Sequence, residues 1–241
     1  MTAQQRLADY RSGAFKEVGG WVADRAVDAL HTASFFHEEN GLRGDALEIG
    51  VFHGRFFLAL MAALRADEVA VAVDIFDNQA LNIDKSGHDS GLRATLNGNI
   101  QRFAHRPDAA RIIHADSMTT GPQEVVAQST SGRFRLISVD GGHTAEHVMN
   151  DLSLVSQIIA PGGVIFLDDF HSPHWPGVFE GFVRYMSFAN RNLAPVLYTG
   201  NKLLLTTISH QPMMTDFFRE RFQAPDIAEV KLSGFSYIAT P

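Results

Sequence analysis

The chain has 241 residues, 45% of them hydrophobic and 20% charged, and this mixture indicates a folded globular domain. It contains no cysteine, which excludes disulfides, thiolate catalysis and zinc bound through sulfur, so any metal must bind oxygen or imidazole. The formal net charge of -7 and the lack of a basic cluster argue against a nucleic-acid partner and favour a small-molecule substrate. No apolar run reaches the ~20 residues that span a bilayer, so we expect a cytoplasmic protein with no membrane partner.

Short apolar runs alternate with helical periodicity along the chain, which is typical of an α/β fold. Residues 15–40 have helix-like spacing and predict an accessory helix pair. The strand candidates are short and rich in branched residues, and they cover residues 46–49, 69–73, 111–114, 136–139 and 164–167. The helical patterns between and after them cover residues 56–64, 92–103, 123–128, 145–159 and 178–190. Repeated strand, helix and strand units predict a Rossmann-like doubly wound sheet.

The end of the predicted sheet differs from its beginning. Residues 196–198 and 203–207 flank Gly200-Asn201, a turn signal that predicts a C-terminal antiparallel hairpin on a mostly parallel sheet. Beyond it we expect one helical stretch and a strand at 230–238. The predicted organisation is N-terminal accessory helices in 1–44, a core in 45–210 and a C-terminal extension packed on the core in 211–241.

A glycine turn connects the first strand to the first core helix. Gly50 permits a sharp exit from the strand, and Gly54 leaves room for a ligand where the helix begins. Phe52 occupies the place of the middle glycine of the dinucleotide fingerprint, so the spacing does not fit a pyrophosphate. The carboxylate of Glu48 at the strand end suits a cationic sulfonium or ammonium group. A tight strand-to-helix connection without a ligand is the alternative.

Acidic residues also follow the second and third strands. Asp74 ends the second strand, where a carboxylate can accept both hydroxyls of a ribose. Asp116 and Ser117 follow the third strand and can contact an adenine ring through polar atoms. Ordinary turn chemistry is the alternative for each of them.

This ordered set resembles the class I S-adenosylmethionine-dependent methyltransferases over residues 47–207. The resemblance implies that the cofactor contacts the positions Glu48, Gly50, Gly54, Asp74 and Asp116. It also implies that an antiparallel hairpin completes the sheet. An NAD-dependent oxidoreductase on a similar sheet is the alternative from a different class.

Three aspartates follow two further strands, Asp140 after one and Asp168-Asp169 after the other. If these strands are neighbours, the carboxylates converge at the edge of the sheet where open α/β folds bind ligands. A divalent cation relieves their repulsion, and oxygen ligands favour magnesium, calcium or manganese. Capping of the following helices is the alternative.

His143 follows Asp140, one of the predicted ligands of this cation, by three residues. A neutral imidazole can remove the proton of a hydroxyl that a metal has made acidic, so His143 is the candidate base beside Asp140. His147, His171 and His174 are competing candidates.

Residues 139–144 and 161–169 resemble the metal-dependent sugar O-methyltransferases of the macrocin and mycinamicin type. The resemblance implies that Asp140, Asp168 and Asp169 hold magnesium and that His143 is the base. The predicted function is O-methylation of a small-molecule hydroxyl, such as one of a sugar diol. A cephalosporin-hydroxylase-like branch of the same group, which does not transfer methyl groups, is a further alternative.

Two features of the sequence do not match a known pattern. The long polar loop at 77–90 is either a lid over the cofactor or an ordinary surface loop. Four phenylalanines either form the face of a homo-oligomer or pack in the core, namely Phe35, Phe36, Phe217 and Phe218.

Overall fold

A single sheet forms the centre of the protein in the computed structural model, which describes residues 1–224 and 226–240. The part of the predicted extension at residues 225 and 241 lies outside the described residues. The strands in chain order are β1 (Asp45–Ile49), β2 (Ala70–Asp74), β3 (Ala110–His114), β4 (Phe134–Val139), β5 (Ile159–Leu167), β6 (Leu193–Thr199), β7 (Lys202–Thr207), β8 (Ala228–Leu232) and β9 (Phe235–Ala239). The helices are α1 (Ala3–Ser12), α2 (Asp24–Glu39), α3 (Arg55–Ala62), α4 (Leu92–Phe103), α5 (Pro122–Val126), α6 (Ala145–Ile158), α7 (Pro176–Met186) and α8 (Gln211–Arg221).

The strand order across the sheet is β3-β2-β1-β4-β5-β7-β6-β9-β8. The first five of these strands are parallel, so their carboxyl ends meet at one edge. Apolar clusters cover both faces: helices α1 to α4 and α8 pack on one face, and α5 to α7 on the other. This arrangement confirms the predicted doubly wound, mostly parallel α/β fold.

The predicted hairpin is confirmed, because β7 pairs antiparallel with both β5 and β6. Its turn has φ values of 56° at Gly200 and 72° at Asn201, the left-handed pair that tight hairpins require. The prediction of a single strand over residues 230–238 is wrong. It is the hairpin of β8 and β9, because Ser233 and Gly234 both have positive φ and reverse the chain.

The sheet also continues into the C-terminal extension, since β9 pairs in parallel with β6. The division into 1–44, 45–210 and 211–241 therefore stays a prediction, and the hydrogen bonds of the sheet cross its second boundary. None of the described helices has the length and apolar character needed to cross a membrane.

The N-terminal region contains a helix pair, but not where the periodicity places it. Helix α1 precedes the predicted segment and begins with a capping box in which Thr2 and Gln5 bond each other's backbone. The second helix starts at Asp24 and not at residue 15, because the chain turns through Gly19-Gly20, with φ 135° at Gly20. The prediction missed α1 because its buried face has only Leu7 and Tyr10.

The four phenylalanines considered as a homo-oligomer face lie between α2 and α8. Phe36 and Phe218 are fully buried in the core, whereas Phe35 and Phe217 are partly buried. The Phe217 ring lies 5.1 Å from that of Phe36 and 6.2 Å from that of Phe35. Core packing is thus correct for Phe36 and Phe218, and the homo-oligomer stays a prediction.

Candidate active site

A cavity of about 570 Å³ opens at the carboxyl edge of the parallel strands. This volume is within the range of small-molecule sites. The candidate residues that line it are Glu48, Gly50, Asp74, Asp116, Ser117, Asp140, His143, Asp168 and Asp169. The structure describes all of the candidate residues, and among them Gly54 alone does not line the cavity.

The two glycines of the turn are explained by packing. Gly50 has φ 78°, and a Cβ there would lie 1.9 Å from the carbonyl oxygen of Asp140, so only glycine lets the ends of β1 and β4 approach. At Gly54, with φ 89°, a Cβ would lie 2.5 Å from Cδ1 of Leu96. The space that we expected a ligand to use beside Gly54 thus holds a side chain of α4.

Glu48 lies at the floor of the cavity and is 2% exposed. Burial raises the pKa of its carboxyl to about 8, although the charge of Lys202 opposes this. Its Oε2 atom is buried and has no hydrogen-bond partner among the described residues. A buried acceptor without a partner is costly, so this oxygen is suited to a ligand that donates a hydrogen bond.

Asp74 braces the glycine turn. Its Oδ2 accepts hydrogen bonds from the backbone N–H groups of Val51 at 2.6 Å and Phe52 at 3.2 Å, and its Oδ1 accepts from Phe76 at 2.5 Å. Carboxylate oxygens can each accept about two hydrogen bonds, so lone pairs remain for a ligand. Contact with a ribose stays a prediction.

Asp116 and Ser117 line the cavity beyond Asp74. Asp116 Oδ1 accepts from the backbone N–H of Met118 at 2.9 Å, the turn chemistry that the sequence left open. Ser117 is buried beside Asp151 of α6, whose pKa is raised by burial to about 7.

The three aspartates after β4 and β5 lie together at the other side of the cavity. Burial together with the charge of Asp168 raises the pKa of Asp140 well above its usual value. Asp169 points to His143 and accepts from the Asn201 side chain at 2.7 Å. Crowded carboxylates of this kind require protons or cations nearby.

Lys202 is a cation of this cluster that we did not predict. Its Nζ lies 2.7 Å from Oδ2 of Asp168 and 3.9 Å from Oδ2 of Asp140, and its side chain is 1% exposed. Burial alone would lower the pKa of this lysine, but the charges of Asp168 and Asp140 outweigh burial and raise it. A lysine at the start of an otherwise apolar strand was the available signal, because lysine is almost never buried unless it is paired.

His143 is held between two carboxylates. Its Nε2 lies 3.1 Å from Oδ2 of Asp169, and its Nδ1 lies 3.0 Å from Oδ2 of Asp84, while the Trp175 ring stacks on it at 4.4 Å. Burial alone would lower the pKa of His143, but the hydrogen bonds to Asp169 and Asp84 outweigh burial and raise it to about 10. In this arrangement His143 carries a proton at neutral pH.

The loop at 77–90 contributes Asp84 to the site and lines the cavity with several of its residues. Asp84 accepts from both the backbone N–H and the ring of His143, and these bonds, with those from Ser86, lower the pKa of Asp84 against the effect of burial. Opposite the loop, Trp21 is 76% exposed and packs on Phe52 with ring centroids 5.3 Å apart. The rim of the cavity is therefore built from this loop and the segment before α2.

Among the histidines proposed as bases, His143 is the one that contacts the acidic cluster. His147 bonds the hydroxyl of Thr144, which caps α6, and His171 packs among Phe179 and Tyr198. His174 lines the cavity at its rim, beside Trp175.

Two carboxylates and one imidazole of the cluster are the donor types that bind a divalent ion, and His143 would join them once it has lost its proton. Asp140, His143 and Asp169 each offer one atom, and these atoms lie within 4.8 Å of one another. Carboxylate oxygens are preferred ligands of magnesium and manganese. Asp168 is not in this set, and one of its oxygens pairs with Lys202.

Comparison with known proteins assigns the core. Residues 47–170 match the family model described as a methyltransferase domain. This match favours S-adenosylmethionine over the NAD-binding alternative. No curated protein matches the chain in sequence.

Solved structures share the fold. The O-methyltransferase NovP is 17% identical, with a TM-score of 0.59 over 75% of this chain and 79% of that chain. The calicheamicin methyltransferase CalS11 is 14% identical, with a TM-score of 0.52 over 85% of this chain and 91% of that chain. An O-methyltransferase from Bacillus cereus in complex with SAH is 12% identical, with a TM-score of 0.53 over 84% and 88% of the two chains.

Proposed function

Since the chain belongs to the methyltransferase domain family, we propose that it transfers the methyl group of S-adenosylmethionine to a hydroxyl oxygen of a small molecule. The observation that carries this proposal is that one cavity contains both Glu48 with its unpartnered oxygen and the cluster of Asp140, His143 and Asp169. A nucleoside and a hydroxyl can therefore meet in one cavity. Alignment of two bound reactants is worth roughly 7 to 11 kcal/mol.

S-adenosylmethionine supplies an electrophilic methyl group on a sulfonium. We assign its binding to the side of the cavity formed by β1, β2 and β3, where the candidate contacts are Glu48, Gly50, Gly54, Asp74, Asp116 and Ser117. Glu48 is suited to accept hydrogen bonds from a polar group of the cofactor, since its Oε2 has no partner among the described residues. Asp74 shapes the turn over which the cofactor would lie. Gly54 is the weakest of these assignments, because Leu96 occupies its surroundings.

A divalent ion, most suitably magnesium, is proposed at the carboxylates of Asp140, Asp168 and Asp169. Such an ion would lower the pKa of a hydroxyl bound beside it. Asp140 and Asp169 line the cavity, and each offers an oxygen within 4.8 Å of the other and of a His143 ring nitrogen. Asp168 is the exception in this ligand set, because its Oδ2 already pairs with Lys202.

We propose His143 as the base that receives the proton of the hydroxyl, beside Asp140. In the structure its two carboxylate contacts raise its pKa to about 10, so the base role requires one of these contacts to open. Nε2 is the candidate atom, since its partner Asp169 is the more exposed of the two acids. Nδ1 stays fixed by Asp84, which orients the ring.

The proposed acceptor is a sugar or another small molecule with adjacent hydroxyls. Two adjacent hydroxyls can bind one cation, which suits the acidic cluster. CalS11, which shares the fold, is described as a TDP-rhamnose 3'-O-methyltransferase. A nucleotide-activated deoxysugar is therefore a reasonable first acceptor to test.

The direct test is incubation with methyl-labelled S-adenosylmethionine and a panel of acceptors, namely TDP-rhamnose, simple sugars and catechol. We expect label to enter a hydroxyl acceptor, EDTA to reduce the transfer, and magnesium to restore it. Transfer that EDTA leaves unchanged would remove the metal from the proposal. Binding of S-adenosylhomocysteine without transfer to any acceptor would favour the hydroxylase-like alternative.

A further inference from the structure

Lys202 has an unusual position for a lysine. It begins β7, its side chain is 1% exposed, and its Nζ lies 4.8 Å from the centre of the Phe56 ring. Burial of an ammonium group is costly unless it is paired, and Asp168 at 2.7 Å supplies the partner. Pairing in the sheet fixes this contact, because Leu203 lies opposite Leu167, the residue before Asp168.

Asp168 differs from the two other aspartates of the cluster. Its Oδ2 pairs with Lys202, and its Oδ1 accepts a hydrogen bond from the backbone N–H of Asp169 at 2.9 Å. Each of its oxygens thus has one contact, and the residue is 7% exposed. The ligand atoms that lie together are those of Asp140, His143 and Asp169.

We infer that Lys202 is a built-in cation of the acidic cluster, which occupies Asp168 and competes with a divalent ion for that carboxylate. The inference deepens the proposed metal site and rests on it for the roles of Asp140 and Asp169. An ammonium group 3.9 Å from Oδ2 of Asp140 also repels a second cation placed on that side chain. Lys202 therefore neutralises one carboxylate of the cluster without metal and makes divalent binding weak.

The test measures Mn²⁺ binding to the full chain by calorimetry and by the loss of the free-ion EPR signal, without other ligands. We compare the wild type with Lys202→Met, whose unbranched side chain keeps the volume and the contact with Phe56 but removes the charge. We expect Lys202→Met to bind Mn²⁺ at least about tenfold more tightly than the wild type. The matched control is Lys231→Met on β8, an exposed lysine at the far edge of the sheet, which should leave the affinity unchanged.

A second variant tests whether Asp168 is the contested ligand. In Lys202→Met with Asp168→Asn, the affinity should return to within about threefold of the wild type, because the released carboxylate is gone. If the double variant keeps the full gain, competition for Asp168 is wrong. If Lys202→Met does not fold, Lys202→Gln replaces it, since the amide removes the charge and keeps a polar, hydrogen-bonding side chain.

The outcomes separate this inference from the proposed function. If Lys202→Met binds Mn²⁺ tightly and the wild type binds none, the inference is supported. The same result removes the metal from the proposed mechanism of the wild type. Equal or weaker binding by Lys202→Met beside a wild type that does bind overturns the inference and leaves the proposed metal site standing. Failure of both proteins to bind Mn²⁺ overturns both.

Discussion

The two sides of the cavity use the same residue type in different ways. On the side of β1 to β3, Asp74 and Asp116 accept hydrogen bonds from backbone N–H groups and so fix the loops that follow the strands. On the side of β4, β5 and β7, Asp168 and Asp169 pair with charged side chains, Lys202 and His143. Acids of the first kind shape a surface, whereas acids of the second kind set its charge. Substitutions on the two sides should therefore affect different measurements.

The largest effect is expected on the charged side. Asp140→Asn should lower the rate of methyl transfer about 1000-fold, because it removes a carboxylate beside the proposed base and metal. The affinity for S-adenosylhomocysteine should stay within about threefold, and stability should not fall, since burial and the charge of Asp168 already raise the pKa of Asp140. Labelled transfer, calorimetry and thermal unfolding measure these quantities.

The control for this prediction is Asp67→Asn, an exposed aspartate paired only loosely with Arg43. It should leave rate and affinity unchanged. An Asp140→Asn enzyme with more than a tenth of the wild-type rate would contradict the proposed role.

On the side of β1 to β3, Asp74→Ala should lower stability and cofactor affinity, the two quantities that Asp140→Asn leaves unchanged. It leaves three backbone N–H groups without their acceptor, so we expect a loss of about 2 to 4 kcal/mol in the free energy of unfolding. Affinity for S-adenosylhomocysteine should fall at least about tenfold as the turn loosens. Urea unfolding and calorimetry test both. Asp74→Asn, which keeps one oxygen acceptor, should recover part of each loss, and an Asp74→Ala variant of unchanged stability would refute the bracing role.

Asp151 is a buried acid that pairs with no cation among the described residues, and its burial predicts a pH dependence of stability. Burial raises its pKa to about 7, against the opposing hydrogen bond from Ser117, whereas an unfolded aspartate has a pKa near 3.9. The folded protein thus binds this proton more tightly, and stability falls as the pH rises from about 4 to about 7. Asp151→Asn should therefore be more stable than the wild type at pH 8 by roughly 2 to 4 kcal/mol, with a smaller difference at pH 5.

Urea unfolding of both proteins at pH 5 and pH 8 measures this difference. Asp108→Asn, in a surface turn after α4, is the control and should not change the pH dependence. Parallel curves for Asp151→Asn and the wild type would show that Asp151 is not the titrating group.

The smallest effect concerns Gly54, where packing and ligand contact give different expectations. If its role is packing against Leu96, Gly54→Ala should cost about 1 to 3 kcal/mol in stability and leave the affinity for S-adenosylhomocysteine within about threefold. Gly91→Ala has a similar positive φ but open space around its Cβ, so it measures the backbone cost alone. A large loss of affinity with little loss of stability would restore the ligand contact.

Local patterns were sufficient for the parallel part of the sheet and for the acids at its edge. Asp140 and Asp168 could be placed together because neighbouring parallel strands end at the same edge. The Gly200-Asn201 dipeptide likewise predicted the hairpin, since few other dipeptides adopt two successive left-handed conformations.

The rest depended on contacts between distant parts of the chain. Lys202 reaches Asp168 only because β7 inserts between β5 and β6, and Asp84 reaches His143 from a loop 59 residues earlier. No periodicity encodes either contact. At Gly54 the motif itself was misleading. Its spacing suggested room for a ligand, but Leu96 fills the space beside this glycine.

The direction of β7 has one more consequence. Because this strand runs against β5, its first residue reaches the edge where the parallel strands have their last, and the turn before it supplies Asn201 to Asp169 as well. Side chains alternate between the two faces of a strand, so a slip of one residue in the pairing of β7 with β5 would carry the ammonium group to the other face. The register of this strand is thus tied to the delivery of a positive charge.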